Sequence, residues 1–153
     1  MTNQNISISE HDFEVLTTLL ATFKVVDPEL IKCQDLLLEK IKTATVLKNE
    51  KLPENLAQLN SIITVGTSFG RKVGLELVVP VEADFYERKL SVLSPLGVAL
   101  FGIREGEKSK WHFPEGDEWV RIEKVDNSRL YLVEEHSKTK TIPKDTENLI
   151  KEA

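Results

Sequence analysis

The chain has 153 residues, of which 41% are hydrophobic and 29% are charged, a composition typical of one globular domain with an appendage. Its formal net charge of −5 argues against a nucleic-acid backbone as the main partner and favours a partner with a basic surface. The single cysteine, Cys33, excludes an internal disulfide, and no stretch reaches the ~18 apolar residues of a membrane span, so we expect a soluble cytoplasmic protein.

Residues 9–46 are predicted to form a short antiparallel helical hairpin, after a loose leader over residues 1–8. Ser9, followed by acidic residues, is typical of a helix N-terminus. The apolar stripe of the first helix consists of Phe13, Leu16, Leu20 and Phe23. Asp27 before Pro28 predicts a second helix, because Asp is a good N-cap and Pro is favoured at the first helical position. Helices of about 15 residues would be about 22 Å long.

A second domain is predicted over residues 59–134, after a charged linker at 47–58 that contains a proline. The predicted strands cover residues 61–67, 73–81, 90–93, 108–113, 118–125 and 130–133. Ser94-Pro95 predicts the cap of one helix over residues 96–101. Residues 135–153 are read as a polar tail.

Four motifs follow one another in this second domain. They are VPVEAD at residues 79–84, LSVLSPLGVALFG at 90–102, GE at 106–107 and PEG at 114–116. In this order they resemble the C-terminal domain of the Gre-type transcription elongation factors, GreA and GreB. The short arm is similar to that of one branch, the regulator of nucleoside diphosphate kinase group. The resemblance implies an α+β protein whose C-terminal domain has an FKBP-like fold, an antiparallel sheet wrapped on one helix.

The resemblance also implies a partner, RNA polymerase. Gre-type factors dock their C-terminal domain on the rim of the polymerase secondary channel and push the helical hairpin into the channel. The corner of the domain that faces the rim corresponds here to Leu93, Ser94, Pro95 and Leu96. These four residues are the candidate polymerase-binding residues.

The hairpin tip offers two carboxylates, Asp27 and Glu29. Long-armed Gre-type members carry two acidic residues at the tip, which help hold a catalytic Mg²⁺ in the polymerase and activate a water to cut backtracked RNA. Asp27 and Glu29 do not reproduce that tip motif, and they also suit a helix cap and the helix dipole. The expected function is therefore binding at the secondary channel in competition with longer factors, without cleavage. The protein itself is not expected to be an enzyme or to hold a cofactor or metal.

Three alternatives remain open. The first is a cleavage-stimulating factor that acts through Asp27 and Glu29. The second is a peptidyl-prolyl isomerase that uses the aromatic residues of the sheet, Trp111, Phe113 and Trp119, although core packing is the expected role of these side chains. The third is a generic interaction module. We expect no sequence-specific binding to nucleic acid and no membrane association, and nothing in the sequence requires more than a monomer.

Overall fold

Two helices joined by a short link form the predicted helical hairpin. The computed structural model describes residues 6–48, 52–113, 116–128 and 130. Helix α1 spans Glu10–Thr22 and helix α2 spans Pro28–Thr43. Ser9 caps α1 by accepting a hydrogen bond from Asp12 N at 2.9 Å, as the sequence predicts. None of the helices in the described part of the chain is long and apolar enough to cross a membrane.

A two-stranded parallel sheet joins the two ends of the hairpin. Strand β1 (Ser7–Ser9) pairs with strand β2 (Thr45–Leu47), and Ile8 is buried in the core. The prediction of a loose leader is therefore wrong for residues 7 and 8, while residues 1–5 lie outside the described part of the chain. A strand of three residues is too short to produce an alternating pattern, so the sequence alone does not indicate strand β1.

The second domain contains a five-stranded sheet. Its strands are β3 (Ile62–Thr67), β4 (Gly70–Val78), β5 (Lys89–Ser91), β6 (Lys108–Phe113) and β7 (Gly116–Asp126), in the spatial order β5-β4-β3-β7-β6. This confirms the α+β class, while the FKBP-like detail stays a prediction. The pairs β3–β4, β3–β7 and β6–β7 are antiparallel, as expected, but β4 and β5 are parallel.

The parallel pair corrects the expectation of a wholly antiparallel sheet. Strand β4 ends at Val78 and not at residue 81, because Pro80 has no N–H to donate and starts a short 3₁₀ turn, Pro80–Glu82. The connection over residues 79–88 then returns to the side of β4, where Glu76 N donates to Arg88 O at 2.8 Å. Strand β5 therefore starts beside Glu76 and runs in the same direction as β4.

One short helix, α3 (Pro95–Leu100), supplies the centre of the core. Residues 96–100 are all buried, and the helix lies against β6. Ser94 caps it: Ser94 Oγ accepts from Gly97 N at 3.0 Å and donates to Ser91 O at 2.7 Å. The fully buried side chains around it include Ile63, Val65, Leu77, Leu93, Phe101, Ile103 and Ile122.

The segment before β3 packs into this core. Leu56 and Ala57 are buried, and the Asn127 side chain donates to Glu54 O at 2.8 Å and to Leu56 O at 2.9 Å. Structured backbone therefore begins before residue 59, and the boundaries of 47–58 and 59–134 stay predictions.

The chain after β7 offers little support for the predicted strand at 130–133. Leu130 N donates to Asn127 O at 3.0 Å, which is a turn and not a strand contact. The remaining residues of that prediction, and the predicted tail at 135–153, lie outside the described part of the chain.

Candidate functional site

The four predicted polymerase-binding residues form the corner between β5 and α3. The side chains of Leu93 and Leu96 are only 1% and 5% exposed and pack in the core. Ser94 and Pro95 are half-buried and are the only two of the four that present side-chain surface. A docking role for this corner stays a prediction, and direct contact could come from Ser94 and Pro95 alone.

Among the residues whose side chains the structure describes, the connection between β4 and β5 carries the most exposed apolar side chains of the sheet domain. Val81 is 88% exposed, Phe85 is 88% exposed and Tyr86 is 91% exposed. We call this segment, residues 80–88, the apolar connection. Exposed clusters of large apolar side chains mark interaction surfaces more often than single exposed residues do.

Hydrogen bonds hold the apolar connection in one conformation. Asp84 Oδ1 accepts from Tyr86 N at 3.0 Å, and Asp84 O accepts from Lys89 N at 2.9 Å. Arg88 has a left-handed φ of 58° and donates through Nη1 to Val73 O at 2.9 Å. The rings of Phe85 and Tyr86 meet edge to face at 5.6 Å. Both aromatic rings are thus presented to solvent by a turn that is already ordered.

The apolar connection and the Ser94–Pro95 corner start from the same end of the sheet. Val78 pairs with Ser91, and Val92 N donates to Val78 O at 2.7 Å. Because β4 and β5 are parallel, the segments that follow them leave the sheet at a common edge. The Val81 side chain and the α3 cap therefore belong to one region of the surface.

The two carboxylates of the hairpin tip have different environments. Asp27 is exposed and caps α2, with its Oδ1 accepting from Glu29 N at 2.9 Å. Glu29 is half-buried in the first turn, and the neighbouring Val26 is 91% exposed. The structural role expected for Asp27 is thus present. Among the described residues, no group of three or more His, Cys, Asp or Glu side chains is arranged to hold a metal ion.

A buried carboxylate attaches α1 to the sheet domain. Asp12 is only 3% exposed, and its Oδ2 accepts a hydrogen bond from Leu59 N at 3.0 Å. Burial raises the pKa of Asp12 from 3.8 to about 6, against the opposing effects of Leu59 N, His11 and Ser9. The position of the first helix relative to the domain therefore depends on a titratable group.

Asp12 is expected to make the protein less stable as pH rises from about 4 to about 6. The folded state binds more protons than the unfolded chain in this window, because its carboxyl has the higher pKa. Asp12→Asn keeps an acceptor for Leu59 N and cannot titrate, so it should remove a change of about 2 kcal/mol in the free energy of unfolding. Urea titrations at the two ends of the window test this, with exposed Asp35→Asn as control; the same pH dependence in both variants would contradict it.

A half-buried lysine attaches α2 to the domain helix through its amine. Lys40 Nζ donates to Val98 O at 2.5 Å, to Ala99 O at 3.3 Å and to Phe101 O at 2.5 Å. These carbonyls lie at the C-terminal end of α3, where a helix leaves acceptors unpaired and favours a cation. Burial lowers the pKa of Lys40 from 10.5 to about 7. Both helices of the hairpin are thus fixed to the sheet domain by polar groups.

The aromatic residues of the β6–β7 hairpin do not all pack in the core. Trp119 is 48% exposed, so the expected core packing is wrong for this residue; its ring lies 5.3 Å from Lys110 Nζ. The side chains of Trp111 and Phe113 lie outside what the structure describes. Trp119 occupies an outward position on β7, between core-facing positions such as Val120.

Sequence reasoning missed Asp12, Lys40 and the aromatic pair Phe85–Tyr86. Asp12 and Lys40 look like ordinary polar positions of amphipathic helices, and only the tertiary structure shows their burial. Two adjacent aromatic residues inside a charged turn were a usable signal for the third, because clustered exposed aromatic residues mark interaction surfaces more often than single ones do.

These elements define an α+β protein in which a helical hairpin precedes a sheet packed on one buried helix. Known proteins with this arrangement are similar in sequence. The family model described as "Transcription elongation factor, GreA/GreB, C-term" matches residues 52–127. A solved structure, the prokaryotic transcription elongation factor GreA/GreB from Nitrosomonas europaea, is 31% identical, with a TM-score of 0.63 over 81% of this chain and 99% of that one. The chain belongs to the GreA/GreB family of transcription elongation factors.

Further relatives match over part of their length. The transcription elongation factor GreA of Syntrophobacter fumaroxidans is 34% identical over 68 residues, 44% of this chain and 44% of that protein. The regulator of nucleoside diphosphate kinase of Escherichia coli is 29% identical over 83 residues, 54% of this chain and 61% of that protein. The chain thus matches about half the length of such relatives, and the resemblance to both branches stated above is confirmed.

Proposed function

We propose that this protein regulates transcription by binding RNA polymerase at the rim of its secondary channel, where it competes with longer Gre-type factors. The observation that carries the proposal is the apolar connection: Val81 is exposed where β4 ends, at the end of the sheet that also bears Ser94 and Pro95, and Phe85 and Tyr86 are exposed where the connection returns to the start of β5. Buried aromatic anchors contribute most of the binding energy at protein interfaces. An ordered turn that already presents two of them loses little entropy on binding.

The charges around the apolar connection suit a basic partner surface. Glu82, Asp84 and Glu87 are exposed and surround the aromatic pair. Acidic side chains at the rim of an interface speed the encounter with a basic partner and exclude acidic ones. The net charge of −5 acts in the same direction.

The dimensions of the hairpin support binding without cleavage. Helices of 13 and 16 residues are short for an arm that must reach deep into a channel. At the tip, the Asp27 carboxylate accepts the hydrogen bond that caps α2, so coordinating an ion would compete with helix stability. The protein would thus act as a regulator that occupies the channel mouth, and any catalysis would belong to the polymerase.

Combining Phe85→Ala with Tyr86→Ala is expected to weaken binding to core RNA polymerase by about 30-fold, because two exposed anchors are lost at about 1 kcal/mol each. Biolayer interferometry with immobilised polymerase measures the change. Phe69→Ala is the matched control, since Phe69 is 69% exposed but lies outside the apolar connection, in the turn between β3 and β4. Equal affinity of the double variant and the control variant would contradict docking through the apolar connection.

A titration into a backtracked polymerase complex separates the two Gre-type activities. Inhibition of transcript cleavage stimulated by another Gre factor is expected if this protein occupies the channel mouth. Cleavage above background when the other factor is omitted, and its loss in Asp27→Ala combined with Glu29→Ala, would instead establish the cleavage-stimulating alternative. No effect at saturating protein would count against the secondary channel as the binding site.

A further inference from the structure

The outward face of the β6–β7 hairpin brings three cations and an indole together. Along β7, Val120 and Ile122 point into the core, whereas Trp119 and Arg121 are exposed. The strand register places Lys110 opposite Trp119 and Lys108 opposite Arg121. We call these four residues, Lys108, Lys110, Trp119 and Arg121, the β6–β7 platform.

The β6–β7 platform is locally positive in a chain whose net charge is −5. Lys108 and Arg121 lie opposite each other on the two strands. In the part of the chain that the structure describes, neither Lys110 nor Arg121 has an ion-pair partner; Lys110 lies over the Trp119 ring and Arg121 donates to Gly106 O at 3.2 Å. Lys110 and Arg121 are therefore accessible to an anion from solvent.

The nearby acidic side chains are already engaged. Glu123, the next outward position on β7, pairs with Arg71 at 2.8 Å, and Glu118 accepts from Ser68 Oγ at 2.9 Å. Gly66 pairs with Arg121 on the other side of β7, and the Glu123 carboxylate lies over it. The open side of the platform is therefore the side of β6, where Lys108 and Lys110 lie.

These features together indicate the class of ligand that the β6–β7 platform can bind. Trp119 is 48% exposed and Lys110 Nζ lies over its ring, so a base would stack on the part of the indole that Lys110 leaves open, and the cations one strand spacing away are placed for phosphates. We propose that the β6–β7 platform binds single-stranded nucleic acid without sequence preference, with a base stacked on Trp119 and phosphates held by Lys108, Lys110 and Arg121. The sheet order puts this platform at the β6 edge and the apolar connection beside β5, at the opposite edge, so the two surfaces can be tested separately.

Fluorescence anisotropy with a labelled oligouridine of about 12 nucleotides tests the proposal in full-length protein at low salt. Binding is expected, and Trp119→Ala should weaken it about tenfold, whereas Trp119→Phe, which keeps an aromatic ring, should weaken it by less than about threefold. Circular dichroism of each variant checks that it is folded. Absence of binding to the intact protein, or equal affinity of the Ala and Phe variants, would overturn the proposal.

The charge contribution is separated from the stacking contribution by salt dependence. Lys110→Gln combined with Arg121→Gln should reduce the slope of log affinity against log salt by roughly 1.4, the value for two lost phosphate contacts on a single strand. Lys42→Gln removes an exposed cation of α2 and should leave the slope unchanged. A similar loss in the Lys42 variant, or displacement of the oligouridine by polyglutamate as readily as by unlabelled oligouridine, would reduce the platform to a general cation patch and overturn the proposal.

Discussion

Lys40→Ala is expected to lower the free energy of unfolding by about 3 kcal/mol at pH 8. The change removes the donor from three carbonyls at the end of α3, and each buried acceptor left unpaired costs about 1–3 kcal/mol. It also removes three methylenes, worth about 0.8 kcal/mol each. The cost of deprotonating the amine on folding offsets part of this loss, because at pH 8 the unfolded chain holds the proton and the folded protein mostly does not. The net effect remains a loss, since the carbonyls and the stem are left without contacts.

The pH dependence distinguishes a buried amine from simple packing. The pKa of Lys40 is about 7 in the folded protein, against its ordinary 10.5. Between these values the unfolded chain binds more protons, so the stability contributed by Lys40 rises with pH across the window. Urea denaturation should therefore show a larger difference between the native protein and Lys40→Ala at about pH 9 than at about pH 7. The control is Lys42→Ala, an exposed neighbour on α2; equal differences at both pH values would contradict burial of the Lys40 amine.

The local rules of helix termini explain why the helices were predictable. Ser9, Asp27 and Ser94 each accept the capping hydrogen bond expected from the sequence. Pro28 and Pro95 occupy the first helical position, where the missing N–H has no cost. Such signals act over three or four residues, so the sequence contains all the information needed to place them.

Pairing between distant segments was much harder to predict. Three of the four strands in the parallel pairs β1–β2 and β4–β5 have only three residues, which is too short for a usable periodicity. The expectation of a loose leader failed for that reason. The strand at residues 90–93 was predicted, but its direction was not, because the antiparallel sheet was only implied by the family resemblance. The β6–β7 hairpin, with alternating residues around a proline- and glycine-containing turn, was predicted almost to its ends.

The candidate site was predictable as a segment but not as a surface. The motif around Ser94 and Pro95 marked the right corner, yet its apolar residues Leu93 and Leu96 are buried. Whether an apolar side chain packs in the core or contacts a partner depends on which face it occupies in the folded domain. Phe85 and Tyr86 are the opposite case: these aromatic residues are exposed because of the turn conformation, and their residue types alone do not indicate exposure.

Gly97→Ala is expected to destabilise the domain by about 3 kcal/mol or more, through overpacking against backbone. A Cβ at position 97 would lie 2.0 Å from Ser91 O and 2.9 Å from Ser94 Oγ. Ser91 O already accepts from Ser94, so the clash falls on the turn that joins β5 to α3. The glycine of the SPLG segment, residues 94–97, is therefore required for a steric reason. Thermal denaturation and urea titration measure the loss.

Gly66→Ala provides the matched control for this substitution. A Cβ at position 66 would meet only the carboxylate of Glu123, at 2.6 Å from Oε2, and this flexible side chain can rotate away. Its expected cost is below about 1 kcal/mol.

If Ser94 and Pro95 contact the polymerase, the shift in their backbone should also weaken binding of the Gly97 variant at temperatures where it remains folded, while the Gly66 variant binds normally. Equal stability of the two variants would contradict the prediction and mean that the backbone of residues 91–94 shifts more easily than its hydrogen bonds indicate. A destabilised Gly97 variant with unchanged polymerase affinity would place the docking contacts on the apolar connection alone.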